Sequence, residues 1–267
     1  MELDGKVAIV TGGGSGIGAA LASAAAAAGA RVLVADLDAG RAAAVADGIG
    51  AELAIAHGGD VGEEAELKRM IALAERELGP VDVFFANAGV ANGIGLESSD
   101  AEWQLALDVN LMAHVRAARL MVPGWLERGA GYFVATASAA GLLTQIGSAP
   151  YSATKHAAVG FAEWLAVTYG DRGVGVSCVC PMGVKTPMLE SELEGGLAAR
   201  AVSAAGAVIE PAAVARVTLE AIAEERFLVL PHPEVLEYFR RKGADYDRWL
   251  RGMRRLQSET TSGDADG

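Results

Sequence analysis

Short runs of β-branched and aromatic residues alternate along this chain with longer stretches whose apolar positions recur at helical spacing. The strand-like runs are Val7–Val10, Arg31–Ala35, Leu53–His57, Val81–Ala86, Tyr132–Thr136, Val174–Val179 and Phe227–Leu230. The helical stretches between them are Gly16–Ala28, Ala39–Gly48, Glu63–Leu78, Asp100–Glu127, Tyr151–Tyr169 and Pro211–Glu225. Ser99 and Glu102 have the spacing of a capping box, and Pro211 suits a first helical position. Apolar strands alternating with helices predict an α/β fold, a doubly wound parallel sheet of about seven strands covered by helices on both faces. The crossovers are expected to be right-handed. No linker or repeat interrupts the alternation, so residues 1–256 are read as a single domain.

Two segments break the pattern. Leu189–Ile209 follows a strand, is rich in Glu, Gly, Ala and Ser, and has weak periodicity, which suits a lid over a site or a long surface insertion. Glu234–Leu256 is an amphipathic C-terminal extension, with Arg240, Arg241, Lys242, Arg248 and Arg251 interleaved with Phe239, Tyr246, Trp249 and Leu250. A basic amphipathic helix can lie on a membrane surface, but the favoured reading docks its apolar face on this subunit or a sister one. Gly243 is expected to divide it. Residues 257–267 have the composition of a disordered polar tail.

The chain has 267 residues, is 52% hydrophobic and 21% charged, and carries a formal net charge of −12. Such an acidic balance argues against a general nucleic-acid binder, which needs basic surface to neutralise phosphates. It leaves room for a nucleotide held by backbone N–H groups. Cys178 and Cys180 share one face of a strand and are read as buried, reduced thiols. His57, His114, His156 and His232 form no spaced ligand cluster, so no metal is expected. No membrane span and no signal peptide are read, and the expected location is the cytoplasm.

Three features carry chemistry. Thr11-Gly12-Gly13-Gly14-Ser15-Gly16-Ile17-Gly18 follows the first strand and opens the first helix, where glycines let a pyrophosphate approach the uncapped N–H groups. Lacking a Lys-Ser/Thr after Gly18, it is not a P-loop. Asp36 ends the second strand, where a carboxylate accepts hydrogen bonds from ribose hydroxyls and repels a 2′-phosphate, so NAD is favoured over NADP. Ser15 and Leu37, flanking that corner, offer no basic side chain. Tyr151 and Lys155 stand four apart on one helix face, and an ammonium beside a phenol favours its ionised form. Such a pair usually marks only a solvated helix face; the other two features give it weight.

With these in place the chain resembles the short-chain dehydrogenase/reductase family, from about Lys6 to Leu230. The glycine turn matches the family's Thr-Gly-x3-Gly-x-Gly, and the resemblance implies a Rossmann-like fold. Asp60-Val61 looks like the family's adenine-holding Asp-Val, and Asn87-Ala88-Gly89 like its Asn-Ala-Gly beside the cofactor. Pro181-Met182-Gly183-Val184-Lys185-Thr186 is similar to its Pro-Gly-x-x-x-Thr segment, in which Thr186 would hold the nicotinamide carboxamide. Ala86 and Met182 depart from the family pattern.

The resemblance implies hydride transfer between NAD(H) and a secondary alcohol or ketone. In that reading Tyr151 is the general acid/base, Lys155 lowers its pKa and holds the nicotinamide ribose, Ser138 orients the substrate oxygen, and Asn110 anchors a relay water. The cofactor set is Gly12, Ser15, Gly16, Ile17, Gly18, Asp36, Leu37, Asp60, Val61, Asn87, Ala88, Gly89, Tyr151, Lys155, Pro181, Gly183, Val184 and Thr186. Family positions ring the substrate with Gly93, Ile94, Leu142, Leu143, Gln145, Ile146, Met182, Met188 and Leu189. That ring contains no Arg or Lys to hold a carboxylate, so an apolar cyclic, aromatic or steroid-like alcohol is expected. An NADPH-dependent ketone or 3-ketoacyl reductase is the alternative, and a non-catalytic NAD sensor or scaffold is the one from another class. A homo-oligomer, dimer or tetramer, is implied through the helices of Asp100–Glu127 and Tyr151–Tyr169.

Overall fold

Alternate residues of each central strand feed two different cores, as a sheet buried on both faces requires. In β1 (Val7–Thr11), Val7 and Ile9 enter one core while Ala8 and Val10 enter the other. β2 (Arg31–Asp36), β4 (Val83–Ala86) and β5 (Gly131–Thr136) repeat the alternation, with Leu33, Phe84 and Phe133 on the first side and Val34, Phe85 and Val134 on the second. β3 (Ala54–Gly58) and β6 (Val174–Val179) flank them, and β7 (Leu228–Val229) is a short edge. The computed structural model describes residues 1–193, 198 and 206–262. Its sheet has seven strands, all parallel, in the order β3-β2-β1-β4-β5-β6-β7.

The second core is closed by α1 (Gly16–Ala27), α2 (Ala39–Ile49) and α9 (Pro211–Ala223), through Leu21, Ala42, Val214 and Ile222. The first is closed by α3 (Glu64–Glu77), α5 (Ala113–Arg128) and α7 (Ala149–Tyr169), through Leu67, Met70, Met121, Trp125, Ala158 and Leu165. Small α1 side chains let that helix lie close to the sheet, which explains the alanine run. The remaining helices are α4 (Asp100–Leu107), α6 (Ala140–Leu143), α8 (Pro187–Leu193), α10 (Glu234–Ala244) and α11 (Tyr246–Ser262). No helix among the described residues is long and apolar enough to cross a membrane.

Four sequence expectations need correcting or bounding. The helix expected over Asp100–Glu127 is interrupted by a π-turn at Asp108–Met112, between α4 and α5. The break expected at Gly243 falls at Asp245, because the Asp245 carboxylate accepts the Arg248 N–H at 2.9 Å and starts α11. The tail read as disordered from Gln257 is helical to Ser262, and residues 263–267 lie outside the described residues. Most of the Leu189–Ile209 segment also lies outside them; its far end returns at Ile209, which bridges Val184.

Sheet order turns at β1 and β4, whose consecutive crossovers leave in opposite directions. A crevice opens there beyond the carboxyl ends of the strands. Thr11 Oγ1 fastens its floor, accepting the N–H groups of Asn87 at 2.9 Å and Ala88 at 3.1 Å and donating to Phe85 O at 3.1 Å.

Candidate active site

The crevice is a cavity of about 860 Å³. At one end lies the glycine turn, with Gly12, Ser15, Gly16, Ile17 and Gly18 on the wall. Gly12 and Gly16 have φ of +63° and +51°, the left-handed region that side chains disfavour. A Cβ on Gly12 would come within 2.9 Å of Ala88 Cα, and one on Gly16 within 2.9 Å of Thr186 Cγ2. The Ser15 side chain makes no cap hydrogen bond, so the first N–H groups of α1 face the crevice uncapped. Such a helix start fits an anionic diphosphate.

Asp36 closes that end. Its Oδ2 accepts the Gly14 N–H at 2.9 Å and its Oδ1 the Asp38 N–H at 3.0 Å, which fixes the carboxylate at the cavity wall beside Leu37. Arg41, in the first turn of α2, also lines the cavity and lies 3.8 Å from Asp36 Oδ1, with its Nε 3.3 Å from Asp38. The corner therefore does hold a basic side chain, contrary to what its sequence neighbours suggested. Helical spacing from the Asp38 N-cap was the signal that would have found it. Gly59, Asp60 and Val61 form the opposite wall, and Asn87, Ala88 and Gly89 the floor.

At the other end α7 presents Tyr151 and Lys155. The Lys155 ammonium lies 5.6 Å from the centre of the Tyr151 ring and donates to Thr136 O at 2.9 Å. Burial lowers the Lys155 pKa to about 8. Ser138, two residues beyond β5, also lines the cavity, its Oγ accepting the Ala140 N–H at 3.1 Å. His114, on α5, is fully buried with neither ring nitrogen hydrogen-bonded; desolvation first, and then the Lys155 charge, hold its pKa at about 3.

Asn110 sits in the π-turn behind the wall rather than on it. Its Oδ1 accepts the Val90 N–H at 2.9 Å, while its Nδ2 donates to Val90 O at 2.9 Å and Thr154 Oγ1 at 3.1 Å. The extra residue of a π-turn turns this side chain inward, a shift that periodicity alone does not reveal.

Of the expected substrate ring, Leu143, Gln145, Ile146, Met182, Met188 and Leu189 line the cavity, whereas three others do not. Leu142 is turned into the core, Ile94 is 65% exposed, and Gly93 faces inward only to take the Ser148 hydroxyl on its carbonyl at 3.0 Å. Pro181, Val184 and Thr186 lie on the wall, but Gly183 does not. Its carbonyl is held by the Ile209 N–H at 3.0 Å and His232 Nε2 at 3.1 Å, and His232 Nδ1 takes the Met182 N–H at 3.1 Å. His232 thereby shapes the segment after β6, a role invisible until β7 brings it alongside.

The C-terminal extension supplies a wall that the sequence did not announce. Tyr238 and Arg241 of α10 and Trp249, Met253 and Leu256 of α11 line the cavity. Lys242 ties α10 down, donating to Leu142 O at 2.7 Å and lying 3.4 Å from His156 Nε2. The helices thus dock on their own subunit and cap the site, and Arg241 adds an arginine to the cavity lining that the expected ring did not contain.

Residues 6–195 match the family model described as short chain dehydrogenase. The chain is 35% identical over 245 residues to the 1-deoxy-11-beta-hydroxypentalenate dehydrogenase of Streptomyces exfoliatus, covering 88% of this chain and 86% of that one. An uncharacterized NAD-dependent oxidoreductase of Mycobacterium tuberculosis is 37% identical over 135 residues, 50% of this chain, which spans 49% of that relative's length. Among solved structures, a short chain dehydrogenase/reductase from Burkholderia phymatum in complex with NAD superposes with a TM-score of 0.85 at 34% identity, covering 92% of this chain and 96% of that one. The chain belongs to the short-chain dehydrogenase family.

Proposed function

We propose that this family member is an NAD-dependent dehydrogenase that interconverts an apolar secondary alcohol and its ketone, with Tyr151 as the general acid/base. The observation that carries the reading is the Lys155 ammonium, 5.6 Å from the Tyr151 ring, on the same cavity wall as Ser138 and continuous with the glycine turn. A carboxylate fixed at Asp36 by two N–H groups suits the free ribose hydroxyls of NAD and not a 2′-phosphate. NAD-linked relatives and an NAD complex of similar fold support the same cofactor. Gly12, Ser15, Gly16, Ile17 and Gly18 would hold the diphosphate, Asp60 and Val61 the adenine, and Thr186 the carboxamide.

When bound, the nicotinamide supplies the hydride acceptor. The chain's own residues handle the oxygen and the proton. Ser138 donates to the substrate oxygen and turns it toward Tyr151. In oxidation the Tyr151 phenolate takes the hydroxyl proton, and in reduction the phenol returns it. Lys155 stabilises the phenolate by charge. Because Lys155 is itself desolvated to a pKa of about 8, it can also relay that proton toward Asn110 near neutral pH. The apolar wall of Leu143, Ile146, Met182 and Leu189 favours a hydrocarbon body around the alcohol.

Screening apolar secondary alcohols with NAD⁺, reading NADH absorbance, tests the reading. Tyr151→Phe is expected to lower turnover by about 10²–10⁴-fold while NAD binding persists. Wild-type turnover in that variant would refute the assignment. The reading extends to assembly as a homo-oligomer: Trp164 (53% exposed) and Val167 (87% exposed) leave apolar surface on α7. Trp164→Glu with Val167→Glu should reduce the sedimenting mass, and an unchanged mass would remove α7 from the interface.

A further inference from the structure

We propose that Arg241 and Trp249 form a recognition site for an anionic end of the substrate, so that the alcohol carries a carboxylate far from its reacting hydroxyl. This rests on the dehydrogenase reading above and revises its substrate class, from a wholly apolar alcohol to one with a hydrocarbon body and a charged far end. Both residues line the same cavity as Tyr151, on the two helices of the C-terminal extension. The Trp249 indole N–H is buried and has no hydrogen-bond partner among the described residues. A buried donor left unpaired is costly, and a bound acceptor removes that cost.

Arg241 Nε donates to Glu237 Oε1 at 2.8 Å, an exposed pair one helical turn apart. Its terminal nitrogens make no hydrogen bond among the described residues. An exposed pair of that kind is weak, so the guanidinium remains available to a ligand. Indole and guanidinium are both donors with no acceptor capacity. Two donors lining one cavity select an acceptor, and the charge of one selects an anion. The other cations on the cavity wall belong to other parts of it: Lys155 lies beside Tyr151 and donates to Thr136 O, and Arg41 stands at the Asp36 corner. Ile146, Met182, Met253 and Leu256 line the cavity as well, which suits a hydrocarbon spacer between hydroxyl and carboxylate.

The test uses straight-chain hydroxy acids with the hydroxyl on the penultimate carbon, from hexanoate to dodecanoate, each beside its methyl ester. The kcat/KM with NAD⁺ is expected to favour the acid by ~10-fold or more at one chain length, as charge-assisted hydrogen bonds of this kind allow. Arg241→Gln should bring the acid-to-ester ratio near unity and Trp249→Phe should lower it, while Arg240→Gln, exposed and off the cavity wall, keeps it. A wild-type enzyme that does not prefer the acid, or an Arg241→Gln variant that keeps the preference, would overturn the proposal. Should no member of the ladder yield NADH, the dehydrogenase reading fails for this class. Calorimetric titration of the same acids and esters into the NADH-loaded enzyme then decides the anion site by itself. Tighter binding of the acids that is lost in Arg241→Gln upholds it, and equal binding overturns it.

Discussion

Asn110 Oδ1 and Lys155 Nζ both lie against the position where Gly89 lacks a side chain. A Cβ placed there would lie 3.3 Å from the one and 3.4 Å from the other. Both distances are as tight as or tighter than ordinary Cβ contacts, so an added methyl would press on the amide oxygen and the ammonium together. Gly89→Ala is therefore expected to fold, to bind NAD, and to lose about 10-fold in kcat as the proton route from Lys155 is blocked. Comparing kcat with the cofactor Kd by fluorescence titration checks this; an unchanged kcat removes Gly89 from the route.

Cofactor choice should turn on Asp36. Asp36→Ser removes the negative charge while leaving Arg41 at the corner, 3.8 Å from where Asp36 Oδ1 had been. The expected result is a fall of at least ~10-fold in the kcat/KM ratio of NAD⁺ over NADP⁺, about 1.4 kcal/mol. Adding Arg41→Ala should reverse part of the gain with NADP⁺, since a nearby Arg can accommodate a 2′-phosphate. A ratio that ignores both substitutions would assign cofactor choice to another part of the cleft.

His114 sets an acid limit. Its folded pKa is about 3, below the ordinary 6.5, chiefly because the imidazole is desolvated. The unfolded chain binds the proton that the folded one refuses, so stability is full above pH 6.5 and falls as pH drops toward 3. Each pKa unit corresponds to about 1.4 kcal/mol, so the window spans several kcal/mol. His114→Leu should shift the acid-unfolding midpoint, followed by circular dichroism, to lower pH. A midpoint that stays in place would mean that other groups drive acid unfolding.

Local pattern was enough for the architecture and for the end of the cavity built by the glycine turn. Alternating apolar strands and helical stretches carry the layer order, because burial on both faces of a parallel sheet imposes those periods on the residues themselves. Gly12 to Gly18, Asp36 and Asn87 were legible because each lies at a strand end, where sequence position and spatial position nearly coincide. Tyr151 and Lys155 were legible because one helical turn links them.

The other end of the cavity was only partly legible, since its walls come from segments far apart in the chain. Ile94 and Leu142 read as lining yet turn to solvent and core, for reasons set by the packing of α6 and α7 and the loop at Ser148. Arg241 read as part of a solvated basic face and Trp249 as part of the apolar face. The Lys242 contact with Leu142 O and the burial of Val235 in the core, both reaching across the fold, bring them over the cavity. Asn110 needed the π-turn, and His232 needed β7 beside β6. The sequence by itself determined the strands, the helices and the residues one turn or one strand end apart. Tertiary packing decided which distant side chains share a wall, because a spacing along the chain reports neighbours on one element and carries no record of which element lies opposite.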